Sequence, residues 1–387
     1  MAGQIQQLVD LRLLERVGAR GASGPGTSAE VIDAHPLVRR AFGHVLGPAG
    51  RRQSAQARAG FLRGRPDRRR PATLEEAQEA IELFHAYCDA SLWNEADSTY
   101  IALDNPKHRL LAPALERDLL LRFFRGGDWR RPPLWPGFGR YRSLAICFEL
   151  LGQFEDALEG YREADAPLRG DALLALGRLG PLLAQPHALP PWDTLGKAYR
   201  AHALVLAGRT EEAVALARST VPVEVYEWLH IFECLLRAGQ IEAVDLRSLL
   251  YRPPHQAEHR WGDLARRRMR ADCLRLQPDP PAAELQALYP ALLEAYDRCG
   301  LPYERALSRL GHVCWLLRCG QTAQAQEVNG TALELARRYH MPIVEADAWT
   351  LGAEIAQRRG EAGRAEAARR EAIRLREEIG YFGPARP

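Results

Sequence analysis

An all-α fold, a solenoid of antiparallel helix hairpins, is what this sequence predicts, on three observations. Ala, Leu, Arg and Glu, all good helix formers, dominate the chain. Strict alternation of Val, Ile and Thr is missing, so a sheet has little support. A phrase of aromatic, glycine and alanine positions recurs from Tyr87 to Ala372, at spacings of 31 to 56 residues.

The clearest unit runs from Phe138 to about Asp171. Its first helix carries Tyr141, Leu144, Ala145 and Phe148; Gly152 makes the turn; the second helix carries Phe154, Ala157, Tyr161 and Ala164. Small residues let the two helices approach closely, larger ones fill the gap to the next hairpin, and glycine ends the first helix. The pattern returns as Ala201, Leu204, Gly208, Thr210, Ala213 and Ala217 between Thr194 and Thr220, then as Trp228, Leu235, Gly239, Ile241 and Val244. Leu316, Gly320, Ala325 and Ala332 give another unit, with a second helix reaching Tyr339. Trp349, Ala353, Ala356, Gly360, Ala365 and Ala372 give the last. Upstream, Tyr87, Trp93, Ala96 and Tyr100 form a unit with Ser91 at the glycine position. His259 to Cys299 reads as a degenerate helix pair broken by the Pro278 to Pro281 loop, and Pro-rich stretches at Arg131 to Pro136 and Pro186 to Pro191 separate repeats. These units resemble tetratricopeptide repeats, whose nominal period is near 34 residues. The resemblance implies a superhelical, partner-holding scaffold.

The first 72 residues differ in character. They hold 13 arginines against five acids, whereas the remainder is acidic on balance, although the whole chain of 387 residues carries only +3. We therefore divide the chain into a basic segment, 1–72, and the solenoid, 73–387. Ile5 to Val17 predicts an amphipathic helix, Gly18 to Ser28 a flexible loop, Glu30 to Phe42 a short strand followed by a helix started by Pro36, and Arg63 to Arg70 an exposed basic linker.

Leu8-Val-Asp-Leu-Arg-Leu-Leu14 followed by Ile32-Asp-Ala-His-Pro-Leu-Val-Arg39 resembles the end of the winged-helix domain in bacterial STAND-type (NLR-like) ATPases. Thr73-Leu-Glu-Glu-Ala with His85 to Ala96 resembles the first sensor repeat of that family, and Arg374 to Tyr381 its closing helix. What the resemblance implies is a small winged-helix-like remnant at 1–72, an interdomain contact at His35, and a sensor arm acting with a separately encoded ATPase or effector. The ATPase itself is not legible: Gly21-Ala-Ser-Gly-Pro-Gly-Thr-Ser28 lacks the phosphate-binding lysine and follows no hydrophobic strand.

Catalytic and metal constellations are weak. His255-Gln-Ala-Glu-His259 spells an inverted zinc-peptidase pattern, but no third ligand stands at a persuasive position. Seven cysteines form an odd set without framework spacing; Cys314 and Cys319 lie five apart, on different faces of a helix. Paired acids such as Glu75 and Glu76 favour a helix start and need no catalytic role. We therefore expect a non-enzyme, with no cofactor and no metal, in the cytoplasm. No apolar run reaches membrane length, so no membrane partner is expected.

The expected function is a sensor or scaffold that binds a protein or peptide. Helix phase puts Arg142, Lys197, Arg200 and His202 on the groove side of the repeats. Phe123, Phe124, Trp129, Trp135 and Phe138 form an aromatic cluster that either caps the first repeat or presents a binding patch, making Trp129 and Trp135 further partner candidates. The alternative is a helical regulator that contacts nucleic acid through the basic first segment; no aromatic residues interleave with Arg65 to Arg70 to stack bases.

Overall fold

The structure is a computed structural model that describes residues 14–17, 31–34, 47–63, 71–104, 106–135, 139–164, 170–184, 193–222, 224–240 and 260–385. It divides into two compact units, Met1–Leu103 and Asp104–Pro387. The expected boundary at residue 72 falls inside the first of them.

In the first unit, strands β1 (Leu14–Val17) and β2 (Val31–Ala34) pair antiparallel, in register from Leu14 opposite Ala34 to Val17 opposite Val31. The strand expected near residue 31 is present. Leu14 to Val17, expected to end an amphipathic helix, is instead extended, because its backbone groups bond across to β2 rather than along a helix. His35 and the helix expected from Pro36 lie outside the described residues. A helix not foreseen, α1 (Gly47–Arg63), packs along α2 (Leu74–Ala90) through Ala55, Ala59 and Leu62, one face at helical spacing. Thr73 caps α2 by accepting from the Glu76 amide at 3.2 Å, while the Glu76 carboxylate accepts from the Ala72 amide at 2.8 Å. Ser91 then turns the chain at φ 59° into α3 (Trp93–Ala102). A serine thus adopts the left-handed conformation that glycine supplies in the later repeats.

The second unit is all-helical among its described residues, apart from an isolated bridge between Phe124 and Pro133. It opens with α4 (Pro106–Arg109) and α5 (Pro113–Leu121). Hairpins follow: α6 (Arg140–Leu150) with α7 (Phe154–Glu163), and α10 (Thr194–Leu206) with α11 (Thr210–Ser219), separated by the short α8 (Gly170–Ala175) and α9 (Gly180–Leu183). Then come α12 (Val225–Arg237), the pair α13 (Arg260–Arg275) and α14 (Ala282–Cys299), the pair α15 (Pro302–Arg318) and α16 (Thr322–Arg338), and the pair α17 (Pro342–Arg358) and α18 (Ala362–Ile379). Each helix packs mainly against its sequence neighbours, as in an α-solenoid. The interior alanines Ala145, Ala157, Ala201, Ala213, Ala325 and Ala332 are fully buried at the helix contacts.

Gly152, at φ 76°, shows why the turn residue matters. A side chain there would be strained by the backbone and would also collide with the ring of Tyr339, which belongs to a much later hairpin. Such contacts recur. Helix α8 touches α17, α13 touches α4, and the Gly383 amide donates to the Leu206 carbonyl at 2.7 Å. The last hairpin and the segment after it are thus folded back onto the earlier ones.

Candidate functional site

The interior of the second unit is charged. Helix α12 is apolar except for Glu227, His230, Glu233 and Arg237, spaced three, three and four residues apart on one face, and all four are buried. Arg268, Asp272 and Arg275 make the same kind of buried stripe on α13, and Glu304, Ser308 and His312 on α15. Residues three and four apart share a helix face, so the packed helices turn these stripes toward one another.

Arg268 is the hub. Its Nη1 lies 2.6 Å from Glu233 Oε1 and 3.7 Å from Asp272 Oδ2, and its Nε lies 3.0 Å from Glu304 Oε2. The Nε–Glu304 approach is an ion pair that lacks hydrogen-bond alignment. Arg275 Nε lies 3.0 Å from Asp272 Oδ1, and the Tyr289 hydroxyl donates to the same oxygen at 3.3 Å. Burial pushes the Glu304 carboxyl up, as do Glu233 and Asp171, while Arg268 opposes the rise.

A second chain of contacts starts at Asp171, on α8. Its Oδ2 accepts from the Tyr199 hydroxyl at 2.5 Å, and its Oδ1 lies 2.7 Å from His230 Nε2. His230 Nδ1 in turn lies 3.2 Å from His202 Nδ1. At this distance one of the two Nδ1 atoms donates and the other accepts. Burial, followed by the neighbouring His230, holds the His202 imidazole well below the usual histidine range, consistent with a neutral ring.

Asp171, His202, His230, Glu233, Arg268 and Glu304 share a partly open cavity of about 50 Å³ with Trp261 and Tyr303. The Trp261 indole stacks on Tyr226, with ring centroids 4.3 Å apart, yet its N–H has no acceptor among the described residues. Among the described residues, no serine, threonine or cysteine lines the cavity. Among the described residues, no group of three or more His, Cys, Asp or Glu side chains is arranged to hold a metal ion. The arrangement has the means to bind and orient a small polar molecule.

The partner residues expected from helix phase separate into two sets. Arg142 is exposed and Lys197 half-buried. Arg200 is 4% exposed and His202 3%. The last two were expected to line an open groove but are buried among the chain's own helices, so they present no surface to a protein partner. The aromatic cluster resolves toward a cap: Phe123 and Phe124 are fully buried, Trp129 packs on Phe148 with ring centroids 5.3 Å apart, and the Arg140 guanidinium lies 3.6 Å over Phe123. Trp129 is therefore a packing residue, while Trp135 stays half-buried. Phe138, the linker 64–70 and the His255–His259 pattern lie outside the described residues.

Residues that helix phase did not single out, chiefly Asp171, Glu233, Arg268 and Glu304, make up most of this site. The signal was present in α12: a helix apolar on every other face is an interior helix, so its polar stripe must also be interior.

In the first unit, three arginines of α1 are already engaged. Arg52 donates to the Ser91 hydroxyl at 3.3 Å, Arg63 to the Tyr87 hydroxyl at 3.0 Å, and Arg58 lies 3.7 Å from Glu82. No described helix is long and apolar enough to cross a membrane.

No known protein-family model matches the chain, and no curated protein matches it in sequence.

Proposed function

We propose that this chain is a sensor or scaffold module of tetratricopeptide type that holds a protein or peptide partner and serves as the sensor arm of a STAND-type signalling system. The observation that carries this reading is the coincidence of repeat phase and packing. The alanines of successive hairpins are buried at the helix contacts, and the turns at Gly152, Gly208, Gly320 and Gly360 all take positive φ. Tandem hairpins of this kind present extended surfaces suited to macromolecular partners. The His-Pro-Leu-Val-Arg phrase beginning at His35 adds the link to STAND proteins.

The partner surface in this reading is the exposed side of the hairpins, where Arg142 and Lys197 remain accessible. Arg200 and His202 instead hold the module in shape. A separately encoded ATPase or effector is the partner class, and catalysis is not assigned to this chain.

The test is crosslinking of the tagged chain in its native cells, followed by mass spectrometry that maps the crosslinked residues. One recurrent protein, crosslinked to the hairpin surface and lost on the double change Arg142→Glu and Lys197→Glu, is the expected result. Recovery of nucleic acid alone, with a steep dependence on salt, would overturn it in favour of a nucleic-acid regulator.

A further inference from the structure

A second cavity in the helical unit, of about 420 Å³, lies where α13, α15, α17 and the segment after α18 meet. That volume is within the range of small-ligand pockets, roughly 300–1,000 Å³. Leu276, Trp315 and Leu351 give it an apolar wall, to which Ala385 of the closing segment contributes. Arg318, Glu354 and Arg358 are exposed members of the lining, whereas Arg275 is buried. Among these charges, one guanidinium is unmatched by an acid. Arg275 Nε lies 3.0 Å from Asp272 Oδ1, and Arg358 Nη2 lies 2.5 Å from Glu354 Oε1. Arg318 instead donates to two backbone carbonyls, that of Arg275 at 2.5 Å and that of Pro278 at 2.8 Å, and has no carboxylate partner among the described residues. These bonds occupy part of its donor set and fix its position, but carbonyls are neutral and leave its formal charge in place. Arg358 is pinned in the same way, since it also donates to the Leu317 carbonyl. Two guanidiniums are thus held at the end of α15 by main-chain acceptors, which lowers the ordering cost of a ligand contact there.

We infer that this cavity is a binding site for an organic monocarboxylate with an apolar body, its carboxylate on Arg318 and its body against Leu276, Trp315 and Leu351. Charge decides the class. A cation would meet three guanidiniums and one carboxylate in the lining, and a dianion would bring a second negative charge toward Glu354. A carboxylate offers two oxygens in one plane, the shape that a guanidinium fork matches. The apolar wall decides the rest: a small carboxylate without a body would leave that wall in water and gain nothing from covering it. The site is separate from the hairpin surface of Arg142 and Lys197 proposed for the protein partner, and it stands whether or not that partner exists.

The experiment is calorimetric titration of the full chain with phenylbutyrate, alongside phenylbutanol, phenylbutylammonium and acetate at equal ionic strength. Phenylbutyrate is expected to bind, phenylbutanol at least tenfold more weakly, and phenylbutylammonium and acetate not detectably. Arg318→Gln removes the charge and keeps an amide that can still donate. It is expected to weaken phenylbutyrate at least tenfold while leaving phenylbutanol within about twofold, so that the preference for the acid disappears. A general loss of structure would weaken both compounds together, which separates the two explanations. Arg358→Gln, expected to weaken phenylbutyrate at least threefold, carries the test if near-UV circular dichroism shows Arg318→Gln to be unfolded. Absence of phenylbutyrate binding, equal binding of the alcohol or the amine, or an acid preference unchanged in folded Arg318→Gln would each overturn the assignment.

Discussion

Arg237 and Asp347, 110 positions apart, form a buried ion pair with 2.7 Å between Nη2 and Oδ2. The Tyr381 hydroxyl completes the cluster: it accepts from Arg237 Nη1 at 2.6 Å and lies 2.8 Å from Asp347 Oδ1. Helix α12 is joined here to the last hairpin and to the segment that follows it. Removing one partner leaves an uncompensated buried charge, so Asp347→Asn is expected to cost about 3–5 kcal/mol. Replacing both, as Arg237→Met with Asp347→Leu, is expected to restore much of that loss, because burying two charges is itself costly. Urea unfolding of the wild type, the singles and the double gives the coupling energy; a double variant as unstable as the sum of the singles would contradict it.

The segment after α18 is held by close backbone contact. Gly383 donates to Leu206, and the Arg376 guanidinium donates to the Gly383 carbonyl. A Cβ on Gly383 would overlap the Val205 carbonyl. Gly383→Val is therefore expected to release residues 381–385 from α10 and to expose Tyr381, now fully buried. Hydrogen exchange at 381–385 should rise to the level of a loop while α10 and α11 keep their protection. Unchanged protection in the segment would show that the docking does not depend on this approach.

The hairpin phase was legible in the sequence because its signals are local. Glycine, or Ser91 in its place, must take positive φ where two helices turn, and alanine must sit where they touch. The charged interior was not legible in the same way. Charges three and four apart describe a solvent-facing stripe as well as a buried one, and only the surrounding residues decide between them. In α12 they decide for burial, whereas α13 carries enough further arginines to look like a surface helix. Arg200 and His202 show the other limit. Their helix phase points inward, but that Asp171 and His230 would meet His202, and that the last hairpin would fold back, depends on contacts between residues far apart in sequence.

His312 gives the interior a pH dependence of known sign. Its ring stacks on Tyr289, with centroids 5.1 Å apart, and its Nδ1 is buried without a hydrogen bond. Burial, helped by Arg309, lowers its pKa to about 4, against 6.5 for the free side chain. A depressed value in the folded state means the folded chain resists the proton that the unfolded chain accepts. The contribution of His312 is therefore fully present above pH 6.5 and is lost as pH falls from there toward 4. A shift of this size corresponds to about 3 kcal/mol. His312→Phe keeps the stacking and should flatten this part of the stability curve, measured by urea unfolding at closely spaced pH values. An unchanged slope between pH 6.5 and 4 would assign the dependence to other groups.

Ser91 offers the reverse experiment, a substitution that should stabilise. It adopts φ 59° and ψ 32° at the end of α2, where a side chain costs roughly 1 kcal/mol and glycine costs little. Its hydroxyl accepts from Arg52 at 3.3 Å, a long and exposed contact worth only a few tenths. Glycine also has the larger conformational entropy in the unfolded chain, which offsets part of the gain. Ser91→Gly is therefore expected to raise the stability of the first unit by about 0.5 kcal/mol, while Ser91→Val lowers it by more than 1 kcal/mol, since a β-branched side chain resists this conformation. Thermal melts of the full chain, with α2 and α3 followed by hydrogen exchange, separate the two. Equal stability of the glycine and valine variants would show that the turn at Ser91 is not held in the left-handed region.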